Sequence, residues 1–319
     1  MKHPALIFTG VLVTLSCIVI FTRAFVGVLD GNSALITEGV KRLPLAVLLY
    51  GGSFLAFAGS WHFALRSVGG QLRLAENSAI LATTQFAKYI PGNVAHHAGR
   101  AAMTAQKGIK VERVALAMTI EIILLIAICA LLALPVVGGL AAVLSLDLMA
   151  RPMQLGGIGI VVVALAVLGF VLLRSSRFAP RLEAAVLRIK TLKISQPLNL
   201  IWTSLFVALG LVSATLSLVA TDRDPTDFGW MQFAFVLSVF SAAFILGLIT
   251  PGAPSGIGVR EVVLMEGLAP VMDQNEAVAA ALLFRVATFC GDLIIFLVGL
   301  VMLWIQRTPD GDAEEDREA

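Results

Sequence analysis

Apolar residues run along this chain in blocks long enough to cross a membrane, instead of alternating with polar ones. Uninterrupted blocks occupy Leu6 to Thr22, Leu43 to Leu65, Val114 to Leu134, Gly156 to Leu173, Leu198 to Val219 and Ala277 to Ile305. A hydrocarbon core of roughly 30 Å needs about 20 helical residues, so the pattern predicts six transmembrane helices. Two further apolar segments are interrupted, Ala75 to Met103 at Pro91-Gly92 and Met231 to Val271 at Pro251-Gly252. Proline lacks the backbone donor and clashes with the preceding turn, so each segment reads as a broken or re-entrant helical hairpin. The expected fold is an all-α membrane protein, with its membrane domain over residues 1–306 and a disordered acidic tail over residues 307–319.

Composition agrees with a membrane solvent. The 319 residues are 58% hydrophobic and 14% charged, whereas a soluble domain carries about a quarter charged residues. A net charge of +2, with no basic and aromatic interleaving, excludes nucleic acid as a partner. Cys17, Cys129 and Cys290 all fall inside apolar runs, where a thiol behaves as a small hydrophobe, so no disulfide, metal site or cofactor is expected. Lys2 and His3 before an apolar stretch resemble a signal peptide, but no small-residue cleavage site follows, and the segment reads as a retained first span.

Orientation follows from the basic residues, which collect in cytoplasmic loops. With the N-terminus inside, fourteen fall on the cytoplasmic side, including a cluster from Arg174 to Lys193, and five fall outside: Arg23, Lys41, Arg42, Arg151 and Arg223. Six spans then place both termini in the cytoplasm. The Arg174 to Lys193 stretch reads as a surface amphipathic helix serving as a topology anchor.

In this orientation the first broken segment starts and ends inside and the second starts and ends outside. The halves, about residues 1–150 and 151–306, repeat the order span, span, broken segment, span from opposite sides. Arg100 and Arg260 each follow the proline of their break by nine residues, preceded by Gly99 and Gly258. Inverted repeats with discontinuous helices in matching positions point to a transporter-type site near the midplane. Irregular backbone is tolerated at that depth only around a protein-lined or wet cavity. A half-helix starting after each break would aim its free N–H groups inward, which suits an anionic headgroup such as phosphate.

Charge at membrane depth is costly and marks function by default. The candidates are Lys88, Arg100, Glu121, Arg260, Glu261, Arg285 and Asp292. Arg100 and Arg260 either clamp a phosphate or pair with Glu121, Glu261 or Asp292 to hold the bundle. Arg285 either joins them or snorkels outward. His96 and His97 are neighbours, expected to point about 100° apart on a helix and so not to share a metal.

The motifs Lys88-Tyr89-Ile90-Pro91-Gly92 with Arg100, and Pro251-Gly252 with Gly256, Gly258, Arg260 and Glu261, resemble the membrane region of bacterial lysylphosphatidylglycerol synthases. That region is a lipid flippase-like family that also exists as stand-alone chains. The resemblance implies a bacterial cytoplasmic membrane protein that moves lipids or lipid-linked intermediates between leaflets. It implies substrate-binding positions at Lys88, Pro91, Gly92, Arg100, Glu121, Pro251, Gly252, Gly258, Arg260, Glu261 and Arg285. Relatives often carry an aromatic residue after the first Pro-Gly, where this chain has Asn93 to His97, and a basic residue after the glutamate, where it has Ile122. Only a short acidic tail follows Trp304, so aminoacyl transfer is not expected.

Two other functions compete. A membrane-embedded transferase acting on a polyprenyl or phospholipid substrate would need carboxylates outside the membrane, and Asp30, Glu38, Asp222, Asp224 and Asp227 are the candidates. An accessory subunit of a separate lipid-modifying enzyme is the other. The sequence has no Walker-type phosphate loop, which removes ATP as a direct energy source.

Overall fold

The computed structural model describes residues 33–89, 95–146, 194–225, 229–250 and 253–307, with isolated positions at 19, 23 and 26. The expected spans Leu6 to Thr22 (except Val19) and Gly156 to Leu173 lie outside the described residues. So do the Arg174 to Lys193 stretch, the acidic tail, Asp30, Asp227, and the break residues Pro91, Gly92, Pro251 and Gly252.

Among the described residues all regular structure is helical. The helices are α1 (Ser33–Ser67), α2 (Leu74–Gln85), α3 (Ala95–Gln106), α4 (Val111–Leu146), α5 (Leu198–Val219), α6 (Trp230–Ile249), α7 (Val259–Leu268) and α8 (Gln274–Arg307). Short 3₁₀ turns lie beside the two breaks, at Phe86–Tyr89 and Pro254–Gly256. Five helices are long and apolar enough to cross a membrane: α1, α4, α5, α6 and α8. The chain is a multi-pass membrane protein.

Four of these five contain spans read from the sequence. The fifth, Trp230–Ile249, is one arm of the second broken segment and is itself of spanning length. The arms of the first break are only 12 residues each, so the flanks of the two breaks differ. Helix α1 also starts earlier than expected, continuing through Pro44, and α4 runs on through Pro135. Proline removes one ladder bond without ending a helix whose neighbours hold it in place.

Burial is inverted relative to a soluble protein. Leu48, Leu55, Leu131, Leu198, Ile201 and Trp304 are exposed, whereas Ser60, Asn77, Thr203, Thr215, Ser217, Ser241 and Asp292 are fully buried. An outward apolar surface this extensive is stable only against lipid. Thr203, Thr215 and Ser241 donate back to carbonyls of their own helices, whereas other hydroxyls cross between helices, notably where α1 packs most extensively against α5. There Ser213 Oγ donates to the Leu49 carbonyl and Ser217 Oγ to the Ala46 carbonyl, each at 2.7 Å. With no hydrophobic drive between helices in lipid, such bonds and close packing hold the bundle.

At the start of α2, the Arg73 backbone N–H donates to Glu76 Oε2 at 3.0 Å. That bond, more than the flanking basic side chains, holds the Glu76 carboxyl below the usual carboxylate range.

Candidate functional site

The segments flanking the two breaks meet. Helices α2 and α3 pack on each other, α6 and α7 pack on each other, and the 3₁₀ turns beside the breaks are in contact. Gly256 makes the second turn possible. Its φ of +70° is left-handed, and a Cβ there would lie 2.9 Å from Gly247 Cα, so the turn folds directly onto α6.

A cavity of about 190 Å³ opens where these segments meet. Its polar lining includes Gln85, Lys88, His97, Arg100, Glu121, Arg260 and Arg285. Its apolar lining includes Phe54, Phe57, Leu125, Phe240, Phe244 and Phe284. The cations come from both breaks and from α8, and the phenylalanines from α1, α6 and α8.

Three ion pairs tie the break segments to the helices around them. Lys88, beside the first break, meets Asp292 of α8 at 2.7 Å. The same carboxylate accepts from Tyr50 Oη at 2.7 Å and from Tyr89 Oη at 2.6 Å, so a fully buried charge has three donors. Gly291 gives Tyr50 its place, because a Cβ there would fall 2.5 Å from Tyr50 Cδ1. Arg100 of α3 meets Glu121 of α4 at 2.8 Å, with its guanidinium 4.3 Å from the centre of the Trp61 ring. Arg285 Nε donates to Glu261 Oε1 at 2.6 Å, joining α8 to α7. Each such charge would cost roughly 2.5–3.5 kcal/mol at the centre of a membrane helix, which is why these side chains pair.

Of the positions singled out from the sequence, Lys88, Arg100, Glu121, Arg260 and Arg285 line the cavity. Gly258 and Glu261 do not. One N–H group at the start of α7 is taken within the protein: Glu261 turns back and accepts from the Gly258 N–H at 2.6 Å. A side chain three residues on satisfies that donor before any ligand can. Arg285 points inward to Glu261 instead of snorkelling. His96 and His97 also depart from expectation, with ring centroids 3.9 Å apart and both rings on the cavity wall. They occupy the first turn of α3, where no preceding turn crowds the side chains into divergent rotamers.

Tyr50, Trp61 and Phe244 were not legible as site residues, because an aromatic side chain inside an apolar run looks like any other. Of the carboxylates considered for transferase chemistry, Glu38 pairs with Lys41 at 2.6 Å and Asp222 pairs with Arg223. No group of three or more His, Cys, Asp or Glu side chains suited to a metal occurs among the described residues.

No curated protein matches the chain. Residues 7–299, which include both breaks and every charged position of the cavity, match the family described as the lysylphosphatidylglycerol synthase TM region, and the chain belongs to that family.

Proposed function

We propose that the protein translocates lipids, or lipid-linked intermediates, with phosphate-bearing headgroups across the cytoplasmic membrane. One observation carries this reading: a single cavity beside the two helix breaks is lined both by four cationic side chains and by five phenylalanines, which suits an amphipathic anion. Guanidinium groups suit phosphate through their planar fork of donors. Aromatic and apolar lining suits the acyl or prenyl portion next to the headgroup. In this reading both termini lie in the cytoplasm and the two breaks occupy matching places of an inverted repeat, which would let the site open to either leaflet in turn. The family's link to a lipid synthase fits a lipid substrate. The transferase reading has less support, because Glu38 and Asp222 are each engaged by a neighbouring basic side chain.

The test is leaflet exchange of fluorescent anionic phospholipid in vesicles containing the purified protein. Exchange above that of empty vesicles is expected for the wild type. It is expected to be lost in Ala214→Trp, which fills the cavity from α5. Wild-type exchange no faster than in empty vesicles, for every phosphate-bearing lipid tried, would reject the proposal.

A further inference from the structure

Charge inside the cavity does not balance. Four cations line it: Lys88, Arg100, Arg260 and Arg285. Three carboxylates answer three of them, Asp292 for Lys88, Glu121 for Arg100 and Glu261 for Arg285. Arg260 is left over. Its Nε is buried without an acceptor, and it forms no ion pair among the described residues. Its guanidinium lies against the Phe244 ring, with Cζ 4.6 Å from the ring centre. The undescribed break residues, Ile90 to Val94 and Pro251-Gly252, contain no ionisable side chain to supply the missing anion. Among the described residues, the cavity's Lys and Arg side chains therefore outnumber the carboxylates paired with them by one.

A cation at membrane depth that is only partly exposed, with its Nε buried and no counter-ion among the described residues, is unfavourable, and an aromatic face offsets only part of that cost. The arrangement is explained if the counter-ion arrives with the ligand. We infer that the cavity selects its ligand by charge, taking a phosphate-type monoanion on Arg260, with Ser255 also in the lining. A zwitterionic or aminoacylated headgroup would bring an ammonium as well, and that ammonium would find all three carboxylates already engaged. The inference rests on the lipid reading above and narrows its substrate class to headgroups with one unbalanced negative charge.

The experiment is native mass spectrometry of the full chain, purified in detergent and stripped of lipid. The probes are phosphatidylglycerol, phosphatidylethanolamine and lysyl-phosphatidylglycerol, with inorganic phosphate as a separate arm. Phosphatidylglycerol is expected to bind about tenfold or more tightly than the other two lipids, the scale of one charge-assisted hydrogen bond. Arg260→Gln is expected to weaken phosphatidylglycerol binding roughly ten- to a hundredfold and to abolish the preference. Arg260→Lys, which keeps the charge, should retain it. Equal binding of all three lipids by the wild type overturns the inference, whether or not the Gln variant assembles, and leaves the lipid reading standing. Inorganic phosphate binding as tightly as phosphatidylglycerol upholds the charge rule and identifies a free anion, not a lipid, as its source.

Discussion

Arg100 is held by opposite charge on one side and by an indole on the other. Replacing it with alanine leaves Glu121 buried, with only Ser60 Oγ in contact at 3.5 Å. Removing one partner of a buried pair costs roughly 3–5 kcal/mol, whereas replacing both by apolar residues of similar volume is often neutral. Arg100→Met together with Glu121→Leu is therefore expected to unfold at a higher temperature than Arg100→Ala alone, measured in the same detergent. A smaller effect is expected at Tyr50, where Tyr50→Phe removes one of three donors to Asp292 and should cost about 1 kcal/mol. The charged residues of the site were legible in the sequence because each interrupts an apolar run. Their pairing was not. Arg260 and Glu261 are chain neighbours and point about 100° apart on a helix, so only the packing of α7 against α8 decides that Glu261 answers Arg285 and leaves Arg260 unpaired.

The turn beside the second break depends on a local backbone that few residues can adopt. Gly256→Ala faces both a left-handed φ and a Cβ pressed onto Gly247, whereas Gly108→Ala meets an equally left-handed φ of +83° in open space. The left-handed conformation alone costs about 1–2 kcal/mol for a residue with a Cβ. Thermal unfolding should therefore show a modest loss for Gly108→Ala and a larger one for Gly256→Ala, the difference reporting the contact with α6. Equal losses would show that the turn has room to relax. Long apolar helices were the most legible elements, since length and hydropathy alone define them. Their ends were not, because Pro44 and Pro135 read as boundaries while neighbouring helices carry α1 and α4 past them. Trp230–Ile249 was hidden in the same way, merged by the sequence pattern with the break that follows it.

At the scale of the molecule, membrane sidedness is the expectation most open to direct measurement. Arg73, at the start of α2, and Trp230, at the start of α6, are both exposed and are placed on opposite faces by the distribution of basic residues. With the three native cysteines replaced, Trp230→Cys is expected to react with an impermeant maleimide added to intact cells. Arg73→Cys should react only after the membrane is opened. The opposite pattern would reverse the orientation, and reaction of both sites in intact cells would contradict the proposed topology.

The carboxylate of Asp292 has consequences for timing. Gripped by an ammonium and two phenols, it loses two of its three donors, Lys88 and Tyr89, if the segment beside the first break leaves α8, and keeps only Tyr50 of α1. Any motion that separates them would have to give up an ion pair and a phenol contact, so the catch that secures the resting state would also slow the pace of a transport cycle.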